Sequence, residues 1–278
     1  MVESGRLGNQ LFQYLALRSV SSPRERLVLL GFDHLHATFN GIDAHFIPIA
    51  SNPLRHLVSL DLAKVSRSAA KIPGVGAVSE DASGLPLRAK NSPLALVEPS
   101  WFQHDGVLRV PALTTMTVKP QWRSAAQQFL TDNSLRGEST AFVHVRAGDY
   151  RAWPSVDFPA ILTPDWYRSR IEELRESNPE LAIVAIGDDP EYTSEVIEGI
   201  PGAQRFSGDS ATAYAEEFAL MTLCSFGVLS ASSFAYWGAY FAKREHPNGR
   251  FLGPKFWAGH AKGEWFPHEF TADFIDFR

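Results

Sequence analysis

Cysteine is almost missing from this chain of 278 residues: Cys224 is the single one. An internal disulfide needs two thiols and a multi-cysteine metal site needs more, so both are excluded. Cys224 lies in the apolar stretch "ALMTLCSFGVL", which marks it as a core residue. Also missing is any apolar run near the roughly 20 residues that cross a bilayer. The start has neither the basic region nor the apolar core of a signal peptide. No transmembrane segment is expected, and the expected location is cytoplasmic, with peripheral attachment at the inner face of the membrane as a variant. Runs of basic residues are absent too. Lys and Arg number 26 against 31 Asp and Glu, a net charge of −5, so a nucleic-acid partner is not supported and any anionic ligand must be held by local groups. What remains is ordinary globular composition, 45% hydrophobic and 21% charged, enough for one large or two smaller domains.

Short apolar runs alternate with helical patterns, which favours α/β over all-β. The runs predict strands at 26–32, 44–49, 95–99, 141–145, 181–186 and 226–230. Several are apolar on both faces, as buried parallel strands are. Helices are predicted at 9–20, 122–131, 164–177, 190–199, 212–224 and 233–243. Residues 66–93, rich in Gly, Ser, Ala and Pro without a sustained period, read as a surface excursion. The polar stretch "LTDNSLRGEST" at 130–140 is the candidate linker, giving domains 1–135 and 136–278.

Polar residues at the ends of strands carry the chemistry, because open α/β sheets bind ligands outside the carboxyl ends of their strands. "AFVHVRAGDY" ends such a strand with His144 and Arg146, spaced to share a face. A guanidinium there needs an anion, since it stays charged and is costly to bury unpaired. An Arg146–Asp149 ion pair that merely ties a turn would explain the same residues. In "GVLSASSFAYWGAYF" a strand runs into Ser230, Ser232 and Ser233, and Phe234, Trp237, Gly238 and Phe241 then share one helical face. Ser232 or Ser233 would be the N-cap. A helix start with nearby hydroxyls suits an anion, and an ordinary capped core helix reads the same. In "GRLGNQLFQYLALR", Gly5 and Gly8 bracket a turn, and Asn9 and Gln10 sit at a helix start with amides placed to meet a ligand. The third glycine of the dinucleotide fingerprint is missing. Asp188 and Asp189 follow another strand. One could hold a base edge or a ribose hydroxyl, the pair could take a divalent metal, or they could simply cap the helix that Pro190 opens.

In order and spacing, "GRLGNQLFQY", "VHVRAGDY" and "LMTLCSFGVLSASSFAYWGAYF" strongly resemble glycosyltransferase family 11, the α-1,2-fucosyltransferases. "SWFQHDGVL", "ILTPDWYRSRI" and "GPKFW" resemble weaker blocks of that family. The resemblance implies a GT-B-like α/β fold of two Rossmann-type domains facing across a cleft, the first on the acceptor side and the second binding a GDP-sugar. It implies inverting transfer of L-fucose from GDP-β-L-fucose to a hydroxyl of a galactose-containing glycan or a lipid-linked oligosaccharide in polysaccharide biosynthesis. By that resemblance Arg146 contacts the donor diphosphate, His144 accompanies it near the nucleotide and Asp149 orients the arginine. Ser232, Ser233 and Phe234 form the phosphate-side block, Asp188 contacts the guanine, and Asn9 faces the cleft with Gln10 beside it.

Charge on the departing GDP can be stabilised by Arg146 and helix N–H groups, so no metal and no further cofactor is expected. The general base is left open: an Arg146 partner makes Asp149 a poor base, and His104 and Asp105 are the conceivable first-domain alternatives. Two departures stand out. The family usually has a second arginine where this chain has Ala147. It also has a full apolar strand ahead of the glycine turn, where only "MVES" precedes Gly5, so a very short first strand or a truncated start is expected. Ala147 and the short start keep two alternatives open: another GDP-sugar donor on the same fold, or a non-catalytic nucleotide- or glycan-binding module.

Overall fold

The computed structural model describes residues 1, 5–48, 71–89, 92–208, 212–256, 263 and 272–278. The chain divides into two units, Met1–Val118 and Lys119–Arg278.

In the first unit, α1 (Leu7–Val20) starts just after Gly5, whose φ of +85° suits glycine. Leu7, Leu11 and Leu15 are all fully buried, and so are Phe12, Tyr14 and Ala16 on other faces, so the helix is enclosed over most of its length. Strands β1 (Val28–Leu30) and β3 (His45–Ile47) pair in parallel. Between them lie α2 (Asp33–Thr38) and β2 (Phe39–Asn40). Met1 lies alongside β1, where its amino group donates to the Val28 carbonyl at 2.8 Å and its carbonyl accepts from Leu30 N at 2.9 Å.

The expected excursion holds a hairpin instead. β4 (Val75–Glu80) pairs antiparallel with β5 (Pro86–Arg88) and parallel with β6 (Leu94–Val97). The turn between β4 and β5 is built by the Asp81 carboxylate, which accepts from the N–H groups of Ser83 and Leu85. Residues 66–70 and 90–91 of that stretch, and Trp257 of "GPKFW", lie outside the described residues. After α3 (Ala112–Thr115), β7 (Thr117–Val118) pairs antiparallel with β2.

The segment after β6 is held tightly. Phe102 is fully buried with φ +53°, a left-handed conformation that costs a bulky residue about 1–3 kcal/mol. The Glu80 carboxylate offsets this by accepting from Phe102 N at 2.7 Å and Trp101 N at 3.1 Å. Burial raises the pKa of Glu80, and those N–H groups pull it back.

The second unit is a doubly wound sheet. Its elements run α4 (Pro120–Asp132), β8 (Thr140–Val145), the hairpin β9 (Pro154–Ser155) and β10 (Phe158–Pro159), α5 (Pro164–Ser177), β11 (Ala182–Gly187), α6 (Pro190–Ile197), β12 (Gln204–Arg205), α7 (Ala213–Leu223), β13 (Phe226–Val228), α8 (Ser233–Glu245), β14 (Arg250–Gly253) and β15 (Asp276–Phe277). The sheet order is β12-β11-β8-β13-β14-β15, with every pair parallel. In order of appearance this is 3-2-1-4-5-6, the Rossmann arrangement, with its switch point between β8 and β13.

All of β8 is buried, Thr140 and His144 along with the apolar residues of the predicted strand. Ala141, Val143 and Val145 pack with Tyr167, Ile171 and Leu174 of α5, and on the other face Phe142 stacks on Phe251. Three helices begin with side-chain caps: Thr163 accepts from Trp166 N, Asp189 from Tyr192 N and Ser232 from Phe234 N. The unit boundary falls at Val118, ahead of the expected linker. Helix α4 belongs to the second unit because it packs on α7 and its Arg123 forms a two-pronged pair with Glu245 of α8 at 2.5 and 2.8 Å.

Candidate active site

The switch point of the second unit gathers His144, Arg146, Ser230, Ser232, Ser233 and Phe234. The β8/β13 neighbourhood makes the first link. Ser230 N donates to the His144 carbonyl at 3.1 Å, and Ser230 Oγ lies 2.7 Å from His144 Nδ1. The His144 ring lies 5.5 Å from that of Phe234 in the first turn of α8. Burial first, and then the positive charge of Arg146, lower the His144 pKa to about 3, so the imidazole is neutral at physiological pH.

The β8/β11 register makes the second link. Val145 pairs with Gly187, so the next residue on each strand, Arg146 and Asp188, meet. Arg146 Nη1 lies 2.6 Å from Asp188 Oδ2, and Nη2 pairs with Asp149 Oδ1. The ion pair with Asp149 weighed in the sequence thus exists, but Arg146 has a second partner that binds more than the guanidinium. Asp188 Oδ1 also accepts from Ala147 N at 2.9 Å. The Asp188 side chain is 21% exposed and that of Asp149 is 62% exposed. Gly148 leaves room for this contact, since a Cβ there would stand 2.7 Å from Asp188 Oδ2. Ala147 itself is fully buried. At this position the chain uses the backbone N–H and has no open space for a long side chain.

Asp189 does not join Asp188. It caps α6 and pairs with Arg151 at 2.7 Å, which, after its hydrogen bond from Tyr192 N, lowers its pKa. Among the described residues no group of three or more His, Cys, Asp or Glu is arranged to hold a metal ion. No helix among them is long and apolar enough to cross a membrane.

Two members of the site were not singled out in the sequence. Tyr150 carries the Arg146 guanidinium 5.5 Å above its ring, donates its hydroxyl to the Ala231 carbonyl and stacks on Trp153 at 5.2 Å. Its place in "GDY" was the available signal. Glu217 on α7 is the other. Burial, then the negative charges of Asp188 and Glu216, push its carboxyl up to about 8. The signal was an acid heading the apolar run "FALMTL", in a helix whose neighbouring residues are buried.

In the first unit Asn9 and Gln10 diverge. Asn9 Oδ1 accepts from Gln103 Nε2 at 2.8 Å. Gln10 corrects the expectation of a ligand-facing amide: it is buried, its Oε1 accepts from Leu35 N at 2.9 Å and its Nε2 donates to the Gly5 carbonyl at 3.3 Å. It locks α1 to α2. His104 Nδ1 accepts from Gly106 N at 2.8 Å and so opens the short 3-10 turn at Asp105–Arg109.

Residues 99–246, a little over half of the chain, match the family described as "Glycosyl transferase family 11". The chain belongs to glycosyl transferase family 11. The family-11 match covers the whole switch-point site. Relatives include the galactoside alpha-(1,2)-fucosyltransferase 1 of Leontopithecus chrysomelas, 28% identical over 260 residues, 86% of this chain and 64% of that protein. Another is the galactoside alpha-(1,2)-fucosyltransferase 2 of Oryctolagus cuniculus, 26% identical over 247 residues, 85% of this chain and 64% of that protein. The chain therefore spans a little under two thirds of the length of these relatives. Among solved structures, the NodZ alpha-1,6-fucosyltransferase soaked with GDP-fucose matches with a TM-score of 0.53 at 11% identity, over 86% of this chain and 90% of that one. This likeness shows the fold, which is GT-B-like, the class that the sequence resemblance implied.

Proposed function

We propose that this family-11 chain transfers L-fucose from GDP-β-L-fucose to a hydroxyl of a galactose-containing glycan, making an α-1,2 linkage with inversion. One observation carries the reading: a charged guanidinium, Arg146, stands at the carboxyl end of β8 beside the Rossmann switch point, and His144 at the same strand end lies 5.5 Å, ring to ring, from Phe234 in the capped first turn of α8. That is the place and chemistry for a sugar-nucleotide diphosphate. The donor and acceptor follow from family membership and from what the curated relatives are called.

In the step itself, the bond from fucose C1 to the diphosphate oxygen breaks with its electron pair going to GDP. The acceptor oxygen bonds to C1 from the opposite face, and its proton passes to a base. Arg146 gains interaction energy as charge builds on the leaving oxygen, which is what lowers the barrier. Asp149, the more exposed of the two carboxylates on Arg146, yields its place to the diphosphate, while Asp188 keeps the guanidinium oriented. The neutral imidazole of His144 adds a second polar contact to the donor without adding charge. Charge stabilisation by Arg146 and the α8 N–H groups leads us to propose a metal-independent reaction; the location we propose is cytoplasmic, with peripheral attachment at the inner face of the membrane as a variant.

The test is a mass-spectrometric screen of GDP-sugars against β-galactoside acceptors with linkage analysis, run on the chain and on Arg146→Ala. Fucosylation at the galactose 2-hydroxyl, falling by about 10²–10³-fold in the variant, is expected. Transfer only from another GDP-sugar would change the donor, and GDP binding without turnover would make the chain a binding module. Full activity in Arg146→Ala would remove that residue from the site.

A further inference from the structure

The first unit contains an aromatic surface that the switch-point chemistry leaves unused. Trp101 is 48% exposed, yet its backbone is fixed. Its N–H is held by Glu80, and the next residue, Phe102, is fully buried in a left-handed conformation under the same carboxylate. The edge of the indole lies against Gly5. A Cβ at Gly5 would stand 2.9 Å from Trp101 Cζ3 and 2.4 Å from Asn9 Nδ2, so the glycine turn, the indole and the Asn9 amide are in close contact. Asn9 is joined to Gln103 by the 2.8 Å amide–amide bond. Gln103 follows Phe102 in the same held segment, so both amides are pre-oriented beside the ring.

A half-exposed indole on a rigid backbone, edged by fixed amides, has the two recognition elements that a pyranose needs. The ring takes the sugar's C–H face, and the amides take the hydroxyls at its rim. We propose that Trp101, with Asn9 and Gln103, forms a sugar-binding subsite for the acceptor, with Glu80 as the positioning residue. Galactose fits it well, because its axial 4-hydroxyl leaves the C3, C4 and C5 hydrogens together on one face as a continuous apolar patch. The buried anchor of this segment is Phe102, whereas Trp101 meets Gly5 only along the edge of its ring and remains 48% exposed. The inference deepens the acceptor half of the proposed function and rests on that reading for the choice of galactoside.

The experiment uses the full chain and two readouts. Ligand-observed NMR with methyl β-D-galactoside needs neither donor nor turnover, and transfer kinetics with a β-galactoside acceptor follow. Trp101→Leu keeps apolar bulk against Gly5 without a π face, and Trp101→Phe restores a smaller one. Binding is expected in the parent chain, lost in Trp101→Leu and partly regained in Trp101→Phe. Acceptor KM should rise at least about tenfold in Trp101→Leu, while donor KM and GDP affinity stay within about twofold. Equal galactoside binding by all three proteins, or an unchanged acceptor KM, would overturn the subsite and leave the proposed function standing. Galactoside binding that depends on Trp101 without transfer from GDP-fucose would uphold the subsite and overturn the function. Absence of galactoside binding in the parent chain would overturn the subsite directly.

Discussion

Replacing Glu217 by glutamine isolates a charge that the folded protein suppresses. Burial on α7, with the charges of Asp188 and Glu216 close by, holds this carboxyl at about 8, against 4.5 in an open chain. Between those two values the unfolded chain has released its proton and the folded chain has kept it. The folded state then binds more protons, so stability falls as pH rises through that window. At about 1.4 kcal/mol per pH unit the full window is worth on the order of 5 kcal/mol. Glutamine copies the shape and the neutrality of the protonated acid and has nothing to titrate. Urea unfolding of the parent and Glu217→Gln proteins at pH 5, 6, 7 and 8 reads the difference directly. The variant's advantage should be small at pH 5 and should widen by about 1 kcal/mol or more with each unit up to pH 8. Other titrating groups are common to both proteins and cancel in that difference. Parallel stability curves, or a variant that loses ground at pH 8, would refute the reasoning and mean that Glu217 is ionised in the folded protein.

Asp188→Asn should lower kcat/KM for the GDP-sugar by about ten- to a hundredfold, because it weakens the acceptor shared by Arg146 and Ala147 N. Asp149→Asn, at a 62% exposed side chain on one tie to Arg146, should stay within about threefold, and steady-state kinetics of the pair check the asymmetry. His144 has the opposite linkage to Glu217: its folded pKa of about 3 lies below the open-chain 6.5. Its contribution to stability is therefore full above 6.5 and is lost as pH falls toward 3. His144→Asn should flatten that acid slope, as denaturation at pH 4 to 7 would register. A chelator should leave the transfer rate unchanged. A strict requirement for Mg²⁺ or Mn²⁺ would contradict the charge-stabilising role given to Arg146 and redirect attention to Asp188 and Asp189.

Periodicity served well wherever packing alone decides structure. The helix predicted at 164–177 has those limits, and the one predicted at 233–243 runs only two residues further. Strand β8 was readable because all of it is buried. The hairpin β4–β5 was not. "VGAVSE" is weak in large β-branched residues, and its strand character comes from pairing on both sides, which a local window does not contain. Likewise β14 and β15 are short segments drawn into the sheet edge by their neighbours.

At the site, the motif marked Arg146 and His144, and local spacing marked Asp149. The stronger orienting partner, Asp188, meets Arg146 only because β8 and β11 are adjacent in a given register. Gln10 shows the reverse error. A polar residue at a helix start looked available, but tertiary packing used both ends of its amide. Glu217 was legible as an acid heading an apolar run, but the burial and the negative charge of Asp188 that raise its carboxyl come from the tertiary fold, which no sequence window spans.

The single thiol, finally, shapes how this protein can be studied. Cys224 is fully buried, its Sγ donates to the Leu220 carbonyl at 3.3 Å, and burial pushes its pKa up to about 12. Maleimides and oxidants attack thiolates that they can reach, so the parent chain should pass through labelling chemistry untouched. Any new cysteine is then the sole reactive handle without further engineering. Placed at Val156, 74% exposed on the hairpin that follows Trp153, a fluorophore or spin label would report from one known point as donor and acceptor bind.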